Sequence, residues 1–127
     1  MEQATQVFAA IGFLVIGLSH LIQPKSWVAF YQDLAARGRT GVFLEGFLLL
    51  NFGALIVAFH NVWEGPAIVL TLIGWAQILK AAGRFVFPNV GLRLMQRVAP
   101  ERAWHFQIGG VFALLVSGYL WWVRFLR

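Results

Sequence analysis

Residues 17–46 read GLSHLIQPKSWVAFYQDLAARGRTGVFLEG, and residues 81–110 read AAGRFVFPNVGLRLMQRVAPERAWHFQIGG. Each runs from an apolar stretch through a proline, Pro24 or Pro88, into a short amphipathic segment and on into a second, glycine-bearing apolar stretch. Aligned without a gap from Pro24 to Pro88, an offset of 64, Gln32 meets Gln96, Leu34 meets Val98, Ala35 meets Ala99, Leu44 meets Ile108 and Gly46 meets Gly110. The chain is therefore expected to be one helical hairpin written twice. The copies cover about 4–63 and about 65–127 within a single membrane domain spanning 1–127.

Working outward, the 127 residues are 60% hydrophobic and 12% charged, with a mean hydropathy of +0.74, whereas soluble domains carry roughly 25% charged residues. Four stretches, 3–24, 46–63, 65–79 and 103–123, are nearly free of charge and approach or reach the roughly 20 residues that cross a hydrocarbon core. The expected fold class is an all-α integral membrane protein with four transmembrane helices, about 4–23, 41–60, 66–87 and 103–125. The third stretch is short unless Lys80 and Arg84 snorkel to the interface. Met1-Glu2-Gln3 lacks the positive region of a signal peptide, so the first span is expected to be retained. No Cys is present, which excludes disulfides and thiolate chemistry.

A net charge of +5 could point to nucleic acid, but the basic residues lie beside apolar spans, where they set topology and meet anionic lipid. Lys25, Arg37, Arg39, Lys80, Arg84, Arg93, Arg97 and Arg102 fall on the two connections inside the copies, against only Arg124 and Arg127 on the opposite side. That bias places both connections in the cytoplasm and both termini outside. Each copy holds an even number of spans, so the copies are expected to be parallel, related by a pseudo-two-fold axis along the membrane normal. In the connections, Trp27, Phe30, Tyr31 and Leu34 follow i, i+3, i+4, i+7 spacing, and Leu92, Met95 and Val98 repeat the pattern more weakly. Both read as amphipathic helices lying on the bilayer interface. Small residues are densest in the last span, at Gly109, Gly110, Ser117 and Gly118, which makes it the expected close-packing helix.

Gly17-Leu18, Pro24-Lys25, Trp27 and Gly46 resemble the pattern of the YjeT-like family of small two-helix bacterial inner-membrane proteins of unknown function. The second copy keeps Pro88 and Gly109-Gly110 but carries Ala81-Ala82 and no matching Trp, and the acidic residue that typically precedes the family's Gly-Leu is matched by Ile16 and Lys80. The resemblance implies a tandem duplication and a bacterial inner membrane, and no activity.

Polar residues within the spans are the functional signal. His20, Glu45, Gln77, Lys80, Arg84, His105 and Gln107 all fall towards the cytoplasmic half of the expected topology, with Gln77, Lys80 and Arg84 along one face of the third span. A carboxylate in a span requires a partner, so Glu45 is expected to pair with Lys80 or Arg84. The functional expectation is a cationic pocket of Lys80, Arg84, His20 and His105 for a lipid phosphate, tuned by Glu45. His20 and His105 lack metal-ligand spacing, and neither a phosphate loop nor a nucleophile–base set is present. No cofactor, metal or catalytic residue is assigned. Asn51 is expected to bridge helices, and His60 to be a solvated turn residue. The composite reading is a non-enzymatic accessory subunit or anionic-lipid-binding protein, alone or in a homo-oligomer or membrane complex. The alternative is an oligomeric transporter or channel lined by the third span.

Overall fold

The computed structural model of the chain describes residues 1–126, so Arg127, counted above in the charge bias, lies outside the described residues. Six α-helices follow in order: α1 Glu2–Ile22, α2 Pro24–Ala36, α3 Arg39–Phe59, α4 Ile68–Val86, α5 Pro88–Gln96 and α6 Trp104–Trp121. A 3₁₀ turn, Pro100–Arg102, precedes α6, and a π-helical turn, Trp122–Leu126, follows it. No strand occurs among the described residues. The helices α1, α3 and α4 and the stretch Pro100–Phe125 are each long and apolar enough to cross a membrane. The protein is thus all-helical and reads as a multi-pass membrane protein. Its outward faces agree, since Val15, Leu48, Leu79, Phe112 and Leu115 are all exposed.

The two prolines act where the sequence placed them. Each occupies the first turn of a short helix, where its missing N–H would have had no partner in any case. The residue before a proline is driven out of the helical region: Gln23 sits at φ −122°, ψ 50°, and Phe87 at φ −125°, ψ 64°, which ends α1 and α4. Between α2 and α3 the chain turns at Gly38, whose φ of 62° suits a residue without Cβ. Three residues later Gly41 packs so closely on the Leu34 carbonyl that any Cβ would overlap it. Pro66 does not open α4. Instead, Ile68 N–H bonds to Gly65 O and Leu70 N–H to Ala67 O, a tighter i, i+3 turn, and the regular helix begins at Ile68.

Packing joins helices that the chain keeps apart. Rather than pairing within each half, α1 packs along α6 and α3 along α4, while α1 meets α3 only lightly. In lipid there is no hydrophobic drive between helices, so close backbone approach decides pairing. A Cβ on Gly17 would stand 3.0 Å from Gly110 O, and one on Gly53 would stand 2.8 Å from Gly74 O. Ser117 Oγ donates to Ala10 O at 2.7 Å, a further tie between α1 and α6. In α6, then, Gly110 and Ser117 face α1, whereas Gly109 and Gly118 are exposed. Ala9, Ala10, Ile56, Leu70, Val116 and Leu120 form the main core.

The amphipathic connection 24–36 turns its apolar side onto the protein more than onto the bilayer. Trp27 Nε1 donates to Ser19 Oγ at 2.9 Å, Tyr31 meets Phe106, and Leu34 is buried with Val42 and Met95. Only Phe30 of the expected stripe is exposed. Together α2 and α5 cover one end of the bundle.

Candidate functional site

Glu45 is 4% exposed, and its Oε1 accepts from Arg84 Nε at 2.5 Å. Of the two cations expected as its partner, Arg84 is the one that turns inward. Lys80 is exposed. Room for the guanidinium comes from glycine, because a Cβ on Gly91 would lie 2.9 Å from Arg84 Cδ and one on Gly46 3.3 Å from Arg84 Cβ. Arg84 therefore does not snorkel, and its charge is compensated by Glu45. Tyr31 on α2 closes over the pair. Burial most of all, then the Glu45 charge and the hydrogen bond it takes from the phenol, hold Tyr31 well above its ordinary value of 10.0, against the opposing charge of Arg84.

His20 and Gln77 come together on a second feature, a cleft of about 480 Å³ beside the edge-to-face contact of Phe13 with Phe52, where α1 and α3 meet only lightly. Gly12, Phe13, Leu49 and Phe52 make its apolar wall, with Trp27 and Tyr31 at one end. His20 stacks on Trp27 at 4.1 Å between ring centres, and its Nδ1 lies 2.8 Å from Ile16 O. Gln77 Oε1 is buried without a hydrogen-bond partner.

His105 and Gln107 lie elsewhere. Gln107 Nε2 donates to Leu21 O at 3.4 Å. His105 stacks edge-on with Trp104 and lines a pocket of about 350 Å³ with Arg97, Arg102, Leu94, Val98 and Phe106. Arg102 is held there by a bond from its Nη1 to Arg97 O, 3.3 Å long. Among the described residues the ion pairs are Glu45–Arg84 and Asp33–Arg37, so Arg97 and Arg102 have no carboxylate partner, neighbouring Glu101 included. The seven sequence candidates thus divide into a neutralised pair, an apolar cleft with His20 and Gln77, the exposed Lys80, and His105 and Gln107 in the first turn of α6.

Two sequence expectations are overturned. Asn51 does not bridge helices: its Nδ2 donates to Phe47 O of its own helix at 2.8 Å, and the residue is exposed. His60 is not solvated but wholly buried. Its Nε2 lies 3.0 Å from Gln6 Nε2 and its Nδ1 3.1 Å from Thr71 Oγ1. Thr71 Oγ1 also accepts from Val62 N–H at 3.0 Å and donates to His60 O at 3.2 Å. With Gln6 Nε2 as donor, this set is satisfied by a neutral ring protonated at Nδ1. Burial, outweighing its backbone hydrogen bond and the charge of Glu2, lowers the His60 pKa from the ordinary 6.5. The signal in sequence was the polar trio Gln6, His60 and Thr71 at the ends of three spans, each ambiguous alone.

Comparison with protein families, with curated proteins and with solved structures finds no match to this chain.

Proposed function

We propose that this is a non-enzymatic protein of a bacterial inner membrane that binds anionic lipid on its basic side and serves there as an accessory subunit. One observation carries the reading: Arg97, Arg102 and His105 share a pocket walled by Leu94, Val98 and Phe106, and neither arginine is spent on a carboxylate. Unpaired cations beside an apolar wall at the end of a span suit a phosphate head group with its chains against protein. The pocket replaces the cluster of His20, Lys80, Arg84 and His105 as the site, because Arg84 is committed to Glu45.

The charge bias supports a cytoplasmic position for this face, with both termini outside. Matched geometry supports the duplicated unit. At the offset of 64, the Gly53–Gly74 approach corresponds to the Ser117–Ala10 bond, and the Gly46–Arg84 contact to that of Gly110 with His20. The near-identical backbone at Gln23 and Phe87 agrees.

The test is retention of phosphatidylglycerol by the detergent-purified protein, read by native mass spectrometry. Arg97→Gln with Arg102→Gln should weaken retention about thirtyfold, near fivefold per arginine at an anionic surface, while Arg124→Gln should change it little. Equal retention by both variants, or saturable anion flux in liposomes, would overturn the reading, the latter in favour of a transporter.

A further inference from the structure

The cleft between α1 and α3 is chemically unlike the basic pocket and independent of it. From Gly12 to His20 it follows α1, a rise of about 12 Å at about 1.5 Å per residue. Its wall is apolar, and Ile16, Leu48 and Leu55 on its rim are exposed, so it opens sideways toward lipid. Neither a carboxylate nor a Lys or Arg lines it. The nearby Glu45 and Arg84 neutralise one another.

Two polar groups on the lining have unused capacity, and both accept. Ile16 O can only accept, so the bond of His20 to it places a proton on Nδ1, and in that tautomer Nε2 is an acceptor. Gln77 Oε1 is buried and unpaired, a state that buried polar atoms rarely keep without a ligand or water. Two acceptors in an uncharged, laterally open apolar cleft call for a donor on an apolar molecule.

We propose that the α1/α3 cleft binds a neutral membrane lipid with a free hydroxyl group, its chain along Gly12, Phe13, Leu49 and Phe52 and its hydroxyl donating to Gln77 or His20. An anionic lipid is disfavoured because its charge would enter a wall without a free cation. Phosphatidylcholine, whose head group carries no N–H or O–H, offers no donor to either acceptor.

Trp27 on the lining supplies the readout. The protein is reconstituted in phosphatidylcholine bilayers carrying increasing dibromostearoyl diacylglycerol, and bromine quenching of tryptophan is followed, with Trp27→Phe as the reference for the remaining indoles. Saturable quenching that disappears in Trp27→Phe is expected. Gly12→Leu should abolish it, because a side chain at Gly12 finds only Phe52, at 4.0 Å from the Cβ, and projects into free space. Gln77→Leu should raise the half-saturating mole fraction about five- to tenfold for the lost hydrogen bond. On the unaltered protein, brominated phosphatidylcholine and brominated phosphatidylglycerol should quench without saturation. Quenching that rises linearly with diacylglycerol, or equal saturation by the brominated phosphatidylcholine, would overturn the proposal. Preferential saturation by phosphatidylglycerol would replace the neutral occupant with an anionic one.

Discussion

Replacing Glu45 by Gln leaves the Arg84 guanidinium buried opposite a neutral amide, and the consequence can be sized from the geometry. The two side chains are 5% and 13% exposed and in direct contact, so solvent screening, which reduces surface pairs to near zero, has little reach here. Removing one member of such a pair costs about 3–5 kcal/mol, because the survivor keeps its desolvation penalty and loses its counter-charge. Arg84→Met should cost a similar amount, now leaving Glu45 uncompensated. The double variant Glu45→Gln, Arg84→Met removes both charges and lets an unbranched side chain lie over Gly91. Its loss should fall short of the sum of the singles by about 2–3 kcal/mol. Lys80→Met combined with Glu45→Gln should instead add within about 0.5 kcal/mol, since Lys80 is exposed. Unfolding by a harsh detergent from mild mixed micelles, followed by circular dichroism, measures each difference. Strict additivity of Glu45 and Arg84, or rescue by Lys80→Met, would refute the argument.

The His60 network predicts a pH dependence of definite sign. With its folded pKa below the ordinary 6.5, the unfolded chain binds the proton first as pH falls, so stability is fully present above about 6.5 and declines below it. In detergent from about pH 8 to about pH 5 the unaltered protein should lose stability on the acid side, and His60→Gln should lack that decline; identical profiles would remove His60 as the cause. Orientation is testable because the chain has no Cys. A cysteine at Ser26 should escape an impermeant thiol reagent on intact cells and one at Asn61 should react, and the reverse pattern would move the basic face outside.

Hydropathy and the two prolines made the helices legible, because each signal is local: apolar length sets the spans, and the residue before proline ends α1 and α4 within about a residue of expectation. The candidate site was legible only in part. Lys80 and Arg84 lie one turn apart on the same face of α4, so sequence alone leaves either able to reach Glu45. The choice is made by bare backbone at Gly46 and Gly91, residues far apart in the chain that leave space under Arg84. The same holds for His60. A histidine at a turn reads as solvated until Gln6 from α1 and Thr71 from α4 enclose it.

Helix pairing follows the same physics. Chain adjacency favours α1 beside α3, and hydropathy offers no objection, since lipid solvates either face equally well. What separates the alternatives is contact distance. Gly17 against Gly110 and Ala10 under Ser117 let α1 and α6 approach until a backbone carbonyl meets a hydroxyl, and Gly53 lets α3 approach until the Gly74 carbonyl of α4 lies against bare backbone. Between α1 and α3 stand Phe13, Leu49 and Phe52, side chains too large for such an approach, and the cleft forms there. The cleft is thus the complement of the pairing: placing the small residues on the α1/α6 and α3/α4 seams leaves α1 and α3 to meet through large side chains, Phe8 and Phe13 against Phe52, which hold the backbones apart and leave the cleft beside them.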